Sequence, residues 1–428
     1  MTIAILLVSF SILLIIGVPI AWCMGVASLL AIYLGHLNLP AAWFAQQTIR
    51  GADAITLAAI PLFLFAGELM NRGGLTRRIM RVAEHIFGRI TGGLGLVNVA
   101  TALVYGGISG SATADTGAVG SIMIPAMAQR GYPKAFAAAV TAAAGTLGII
   151  GPQSVILILY GVLTNTSIGG LLVAALVPGA FIAAIFMITS YVVAKRHGFP
   201  RNEDPASWGE IGRDAVGALP ALLMPLLVLG SIIGGIATAT EASALAVVYS
   251  FLAGILVYRE LPLRSLYAAA SSAVATTGVI MMIMALATPF GWILTVEQVP
   301  ANAAAWITGL DTSPIVTIIL VLLLLKIVGF WLDLGPALII LAPILVPIAL
   351  SAGMTPYQTG IVFTMTLGIG LFTPPIGTNI FVVCNVAKLD MWSVSVWLVP
   401  YWIASVICVA ALVAFPGLTE WLPRLLGV

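Results

Sequence analysis

Charged residues are scarce in this chain of 428 residues. Lys and Arg number 17 and Asp and Glu 15, together 7% of the chain, whereas hydrophobic residues make up 61%. A soluble chain has about 25% charged residues to solvate its surface, so the composition excludes a soluble globular protein. The net charge of +2 is spread over loops without a basic patch, and no nucleic-acid partner is expected. We predict an all-α polytopic protein surrounded by membrane lipid.

Cysteine is rarer still, and its positions exclude two kinds of site. The three cysteines are Cys23, Cys384 and Cys408. All lie in apolar segments, without C-x-x-C spacing or a neighbouring histidine. Neither a disulfide framework nor a zinc site is therefore expected.

The shortage of histidine argues against an enzyme. Gly107-Ile108-Ser109-Gly110 matches the GxSG pattern of intramembrane serine proteases, which need a histidine base on a later membrane helix. The three histidines, His36, His85 and His197, lie in or beside loops. The P-loop pattern that would bind ATP is also absent.

Long apolar segments fill most of the chain. They run over 3–34, 53–70, 92–129, 135–162, 168–194, 216–236, 241–258, 268–295, 314–350, 357–386 and 393–414. The first lacks a basic N-terminal region and is too long for a signal-peptide core, so we interpret it as one retained helix. Segments 92–129 and 314–350 are too long for one span and are broken at their centres by small and polar residues. Each fits a re-entrant hairpin, since irregular backbone at that depth must lie inside protein or against a cavity.

The two interrupted segments occupy equivalent positions in an internal repeat. An offset of 222 residues aligns five helix-breaking positions: Gly107 with Gly329, Pro125 with Pro347, Gly131 with Gly353, Gly148 with Gly370, and Pro152 with Pro374. Residues 71–134 contain seven basic residues, whereas the equivalent stretch 293–356 contains only Lys326. The positive-inside tendency then predicts that the first hairpin opens from the cytoplasm and the second from the opposite side.

The loop charges also orient the chain as a whole. Counting spans places the N-terminus in the cytoplasm and the C-terminus in the periplasm, with a polar linker, 195–214, between the halves. Inverted repeats with two re-entrant hairpins and two broken helices are typical of secondary transporters, whose sites lie where the breaks meet.

Each hairpin contains a candidate ion site. In the first, Ser109, Ser111, Thr113 and Asp115 offer hard oxygen ligands on partly unwound backbone, although a seam of small residues for helix packing would look alike. In the second, Asp333 lies beside Gly329 and Gly335 at the repeat-related break. The alternative there is a buried acid satisfied by neighbouring amides.

The two helix breaks opposite the hairpins contain the other candidates. They are Gly148–Ser154, with Gly151 before Pro152, and Gly370–Asn379, with Thr373 before two prolines. Each frees carbonyls on one half-helix and presents the N-terminal amides of the next, which suit an anion. Ser154, Thr378 and Asn379 would lie at these positive ends; two simple proline kinks are the alternative. Glu68 and Glu241 are interpreted as structural.

At these residues the chain resembles the large membrane subunit of tripartite ATP-independent periplasmic (TRAP) transporters. The matching motifs are YGGISGSATAD, GGIATATEAS, GPQS, PILVP and GLFTPPIGTN. The resemblance implies an elevator-type transporter of the ion-transporter superfamily in the bacterial inner membrane. It also implies sodium as the coupling ion and a periplasmic substrate-binding protein that delivers an organic acid, such as a C4-dicarboxylate or sialic acid. A small four-span membrane subunit is expected as a separate chain.

The resemblance also assigns residues to roles. One sodium site would use Ser109, Ser111, Gly148 and Gly151, supported by Asp115. The second would use Asp333, Gly370 and Thr373. Substrate carboxylates would lie near Thr113, Ser154, Thr378 and Asn379. The stretch 72–90 resembles the family's cytoplasmic arm helix, with an ordinary basic loop as the alternative.

Six regions are expected on this basis. They are the first scaffold spans and arm helix (1–91), the first transport-domain half (92–165), a connecting span and linker (166–215), the second scaffold spans (216–297), the second transport-domain half (298–390) and a C-terminal span (391–428). Two other functions stay open: a stand-alone sodium/dicarboxylate symporter without a binding protein, and an intramembrane hydrolase that uses Ser109.

Overall fold

The computed structural model describes residues 1–37, 39–201, 208–302, 305, 313–374 and 377–427. Within these ranges the chain forms helices joined by turns, and no strand. In the first half the helices are α1 Thr2–Ile15, α2 Ile20–Leu34, α3 Ala41–Ala52, α4 Ala59–Arg72, α5 Leu75–Phe87, α6 Gly93–Ser109, α7 Ala112–Gln129, α8 Lys134–Ala144, α9 Val155–Thr164, α10 Ile168–Ala174 and α11 Leu176–His197. In the second half they are α12 Trp208–Ile233, α13 Ala239–Leu252, α14 Leu263–Val296, α15 Pro314–Gly329, α16 Leu334–Ser351, α17 Pro356–Gly370, α18 Thr378–Ala387, α19 Met391–Ala414 and α20 Gly417–Leu426.

Seven helical stretches in the described part of the chain are long and apolar enough to cross a bilayer. They are Ile55–Arg72, Ile168–His197, Gly209–Ile233, Ala239–Val257, Leu263–Val296, Leu334–Ser351 and Met391–Ala414. Shorter apolar helices pack between them. The prediction of an all-α polytopic membrane protein is confirmed.

The interpretation of 3–34 as one membrane helix is wrong. The chain breaks at Gly17, which has φ +85°, and Pro19 precedes the next helix. Helices α1 and α2 then pack against each other, and the backbone N–H of His36 lies 3.5 Å from Thr2 Oγ1. The two helices therefore run in opposite directions and return the chain to the side on which it started.

The basic stretch 72–90 forms a helix, so the basic-loop alternative is wrong. In α5 one face is buried, while Arg77 and Arg81 on the other face are exposed or pair with acids. Arg78 donates to Glu260 at 2.7 Å and lies over the Tyr258 ring, 4.2 Å from its centroid. The helix is thus fixed by charge to the segment that follows α13.

Two helical hairpins dominate the centre of the fold. The first hairpin is α6 and α7, joined at Gly110–Ser111; the second is α15 and α16, joined at residues 330–333. The hairpins pack crosswise on the broken helices, because α7 contacts α18 and α16 contacts α9. Each half of the chain therefore supplies one wall of the other half's break.

The helices of the two halves follow the spacing of the sequence repeat. Helix α7 begins at residue 112 and α16 at 334, and they end at 129 and 351, an offset of 222 at both ends. Helices α8 and α17 begin at 134 and 356, again 222 apart. The halves differ before the hairpins, where the first half has a break between α3 and α4 but α14 is continuous over 34 residues.

Candidate ion and substrate site

The tip of the first hairpin is pressed against the break after α8. Gly110 takes a left-handed conformation with φ +67°, which ends α6 and lets α7 begin two residues later. A Cβ at Gly110 would lie 2.1 Å from the Gln153 carbonyl oxygen. Only glycine fits this turn, for both its backbone angle and its contact.

Asp115 lies at the centre of the first candidate site and is fully buried. Ser109 Oγ donates to Asp115 Oδ1, and Ser111 N–H donates to Ser109 Oγ at 3.2 Å. Asp115 Oδ2 is buried without a hydrogen-bond partner among the described residues. A buried carboxylate oxygen without a partner is unfavourable unless a cation or a proton compensates it.

Glycines surround this carboxylate oxygen. A Cβ at Gly148 would lie 2.0 Å from Asp115 Oδ2, and one at Gly106 would lie 2.9 Å from it. Gly151 packs against the backbone of the same helix, since its Cβ would lie 3.2 Å from the Gly106 carbonyl oxygen. The structure thus brings Asp115, Gly148 and Gly151 together with Ser109, on backbone without side chains to obstruct a small ligand. The orphaned oxygen and these exposed backbone groups fit a small hard cation.

The second candidate site is more open than the first. Gly370 packs on the hairpin, and its Cβ would lie 2.1 Å from the Gly329 carbonyl oxygen. Thr373 Oγ1 donates to the Ile369 carbonyl at 2.6 Å. Asp333 precedes α16 and is exposed to a cavity, without a hydrogen bond to Gly370 or Thr373 in the described structure. The repeat-related acids therefore have different surroundings, one enclosed and one accessible.

Both hairpin tips open onto one central cavity of about 660 Å³. Residues 110–114 and 333–336 line it, together with parts of α2, α4, α9 and α14. Of its described lining residues, only Glu68 and Asp333 are charged, and both are acids. The first turns of α7, α9 and α16 also line the cavity. These helix N-termini supply partial positive charge without a basic side chain.

The residues predicted to contact substrate are placed differently from one another. Thr113 is exposed and lines the central cavity. Ser154 is buried and caps α9: its hydroxyl donates to the Ile149 carbonyl at 2.6 Å and accepts from Leu157 N–H at 3.2 Å.

Thr378 and Asn379 begin α18, and neither lines the cavity. Asn379 is buried and donates to the Ala142 carbonyl at 3.1 Å. Residues 375 and 376 of this break lie outside the described part of the chain.

Sequence reasoning missed Glu68 as a residue of the site. Glu68 lines the central cavity and accepts a hydrogen bond from Ser272 Oγ at 2.9 Å. Its partner lies 204 residues away, so no local motif joins them. The available signal was an acid inside an apolar span, which is costly in a membrane without a function. Glu241, in contrast, forms a capping box with Thr238 at the start of α13, in agreement with a structural role.

The chain matches the family described as "Tripartite ATP-independent periplasmic transporter, DctM component" over residues 7–418. The isethionate TRAP transporter permease protein DctMQ of Oleidesulfovibrio alaskensis is 38% identical over 391 residues, 91% of this chain. The chain spans 61% of that relative's length.

Two further relatives match almost end to end. The sialic acid TRAP transporter large permease protein SiaM of Vibrio cholerae is 36% identical over 381 residues, 89% of each chain. The C4-dicarboxylate TRAP transporter large permease protein DctM of Pseudomonas aeruginosa is 35% identical over 384 residues, 90% of each chain.

Two solved transporter structures share the fold at 14% sequence identity. The YdaH transporter of Alcanivorax borkumensis has a TM-score of 0.62 over 87% of both chains. MtrF of Neisseria gonorrhoeae has a TM-score of 0.61 over 95% of this chain and 94% of its own. Relatives and fold agree that this is a multi-pass membrane protein of a bacterial transporter and that it belongs with transport permeases, not enzymes. The chain belongs to the DctM family, the large membrane component of tripartite ATP-independent periplasmic transporters.

Proposed function

We propose that this protein takes up an organic acid through the bacterial inner membrane, driven by sodium. The observation that carries the proposal is the charge of the central cavity, where Glu68 and Asp333 are the charged residues of the described lining. An organic anion would meet two carboxylates there and no basic side chain. Bound cations would offset this repulsion and make anion binding depend on them.

The two hairpin sites would hold the sodium ions. The first would use Ser109, Ser111, Asp115, Gly148 and Gly151, and the support is the orphaned Asp115 oxygen between the glycines. Unwound backbone of this kind coordinates sodium in other secondary transporters.

The second sodium site would use Asp333, Gly370 and Thr373. It is supported by the position of Asp333 at the N-terminus of α16, on the cavity wall. Because this acid is accessible, the second site would exchange sodium with solution more readily than the first.

The anion would bind between the hairpin tips. Thr113 would donate its hydroxyl, and the first turns of α7, α9 and α16 would supply the positive ends of helix dipoles. Ser154, Thr378 and Asn379 would act by fixing the helix starts behind the cavity. Relatives are named for isethionate, sialic acid, 2,3-diketo-L-gulonate and C4-dicarboxylates. All are organic acids.

The proposed mechanism is an elevator built on an inverted repeat. The hairpins and their broken helices (92–165 and 298–390) would move as a transport domain against scaffold spans in 1–91 and 216–297. Its support is the shared offset of the helices, the meeting of both tips at one cavity, and the separate surroundings of the hairpin bases. Arg130, at the base of the first, pairs with Glu84 of α5, whereas Thr355, at the base of the second, donates to Glu420 of α20.

Orientation follows from the basic arm helix. If α5 and the linker face the cytoplasm, α4 crosses once and residue 36 lies in the periplasm. Helices α1 and α2 form a pair, so we place the N-terminus in the periplasm also. This replaces the cytoplasmic N-terminus that a single span over 3–34 predicted; the C-terminus stays periplasmic.

The partners in this proposal are a small four-span membrane subunit on a separate chain and a periplasmic binding protein. The family description and the fused DctMQ relative support them. The competing function is a stand-alone sodium/dicarboxylate symporter. In proteoliposomes with an inward sodium gradient, we expect uptake only when the small subunit and the binding protein are both present. Sodium-driven uptake without the binding protein would favour the stand-alone symporter instead.

Replacing Asp333 with asparagine is expected to raise the sodium concentration for half-maximal uptake about tenfold, since loss of one carboxylate ligand costs about 1.4 kcal/mol. The maximal rate at saturating sodium should change much less. The measurement is uptake against sodium at constant ionic strength. Asp53→Asn is the matched control, because Asp53 is exposed and does not line the cavity. An unchanged sodium dependence in Asp333→Asn would remove Asp333 from the site.

A further inference from the structure

We propose a third monovalent-cation site beside the first hairpin, with Glu68 as its carboxylate ligand. It rests on the sodium coupling proposed above, and it lies outside the two hairpin sites. A side cavity of about 50 Å³ is lined by Glu68, Tyr105, Ser109, Ser111, Ser272 and Thr276, among others. Asp115 and Asp333 do not line it.

The size and lining of the side cavity select its ligand. About 50 Å³ exceeds the 30 Å³ or so that one water occupies in the liquid, but an organic acid would not fit. One carboxylate with several hydroxyls forms a hard oxygen environment, which suits a small monovalent cation. No cluster of three or more His, Cys, Asp or Glu occurs in the described ranges, so the site lacks the ligands of a transition metal.

Glu68 has capacity for a further ligand. Its Oε1 accepts from Ser272 Oγ at 2.9 Å, and its Oε2 accepts from Arg72 Nε at 3.2 Å. Arg72 is 37% exposed and approaches through a single N–H, and such exposed pairs are weak. A carboxylate accepts about four hydrogen bonds or ligands, so the Glu68 oxygens can still coordinate a cation.

Tyr105 provides an independent observation. Its side chain is 1% exposed and lines the side cavity. Its hydroxyl is buried without a hydrogen-bond partner among the described residues. Leaving a buried hydroxyl unpaired costs about 1–3 kcal/mol. A ligand in the side cavity would coordinate this oxygen and remove the penalty.

The ligands of the side cavity come from two bodies of the proposed elevator. Glu68 and Ser272 lie on α4 and α14 of the scaffold, whereas Ser109 and Ser111 lie on the hairpin. Close contact between them depends on Gly67, whose Cβ would lie 3.0 Å from Ser109 Cα. The site is complete only while the tip lies against α4. A cation there stabilises this position of the transport domain, because it binds this state better than any other.

The test is equilibrium binding of ²²Na⁺ to the purified full chain with its small subunit. We expect Glu68→Gln to lose one bound sodium ion per chain, and the sodium dependence of uptake to become less cooperative. Glu297→Gln is the matched control, because Glu297 follows α14 but lines neither cavity. If Glu68→Gln does not assemble, Ser272→Ala removes a ligand without the charge and should weaken binding of the same ion.

The outcomes separate this site from the proposed function. If wild-type uptake needs no sodium, the proposed function fails. If wild-type uptake needs sodium but Glu68→Gln keeps both the ion count and the cooperativity, the third site alone is overturned and the side cavity holds only water.

Discussion

Replacing Gly148 with alanine is expected to abolish uptake, to below about 1% of the wild-type rate. The new Cβ would lie 2.0 Å from Asp115 Oδ2 and 3.5 Å from Gly106 Cα. Asp115 is short, fully buried and hydrogen-bonded by Ser109, so its carboxylate has little room to yield. A displacement of about 1 Å is enough to disable a preorganised site. The measurement is sodium-driven uptake in proteoliposomes.

Stability should suffer less than function in this variant. Overpacking of a core typically costs about 1–3 kcal/mol, which lowers the thermal midpoint in detergent without preventing assembly. Gly117→Ala is the control in the same hairpin, since its Cβ would lie 3.7 Å from Val382 and make an ordinary contact. Wild-type uptake by Gly148→Ala would show that the space beside Asp115 has no part in transport.

Replacing Asp115 with asparagine is expected to lower uptake at least about 100-fold while leaving the fold intact. Asparagine has nearly the same shape, and its amide oxygen can still accept from Ser109 Oγ. It carries no charge to bind a cation. A neutral amide is also cheaper to bury than a carboxylate. The thermal midpoint without sodium should therefore stay the same or rise, and the stabilisation by added sodium should become smaller.

Opposite changes in stability and uptake distinguish an ion ligand from a packing residue. A packing role predicts that both properties survive the isosteric change, or fail together. Ser121→Ala serves as the control, because it removes an exposed hydroxyl from the same helix. If Asp115→Asn kept more than half of the wild-type uptake, the first ion site would have to lie elsewhere.

The hairpins and breaks could be predicted because local chemistry determines them. Gly110 and Pro152 are helix breakers in apolar segments, and the repeat offset relates them to equivalents in the second half. The segment 3–34 was predicted wrongly because its hydropathy is continuous. Only Gly17 and Pro19 mark the reversal, and two short helices look like one long one in composition.

Side-chain partners could not be predicted to the same extent. The Glu68 contact with Ser272 depends on how α4 and α14 pack, which no spacing in the sequence encodes. Asp115 and Asp333 looked equivalent in the repeat, yet one is enclosed and the other faces the cavity. The turn geometry decides this, since Asp115 lies a full turn inside α7, whereas Asp333 immediately precedes α16.

The crosswise packing of the hairpins has a consequence for biogenesis. Helices α7 and α9 leave the ribosome about 220 residues before the helices α18 and α16 that cover them. At roughly 5–20 residues per second of synthesis, the first hairpin waits about 10–45 s for its partners. During that time Asp115 has a protected lipid-side neighbour only if the insertion machinery supplies one. Folding of the first half is therefore completed by the second half and cannot finish in order of synthesis.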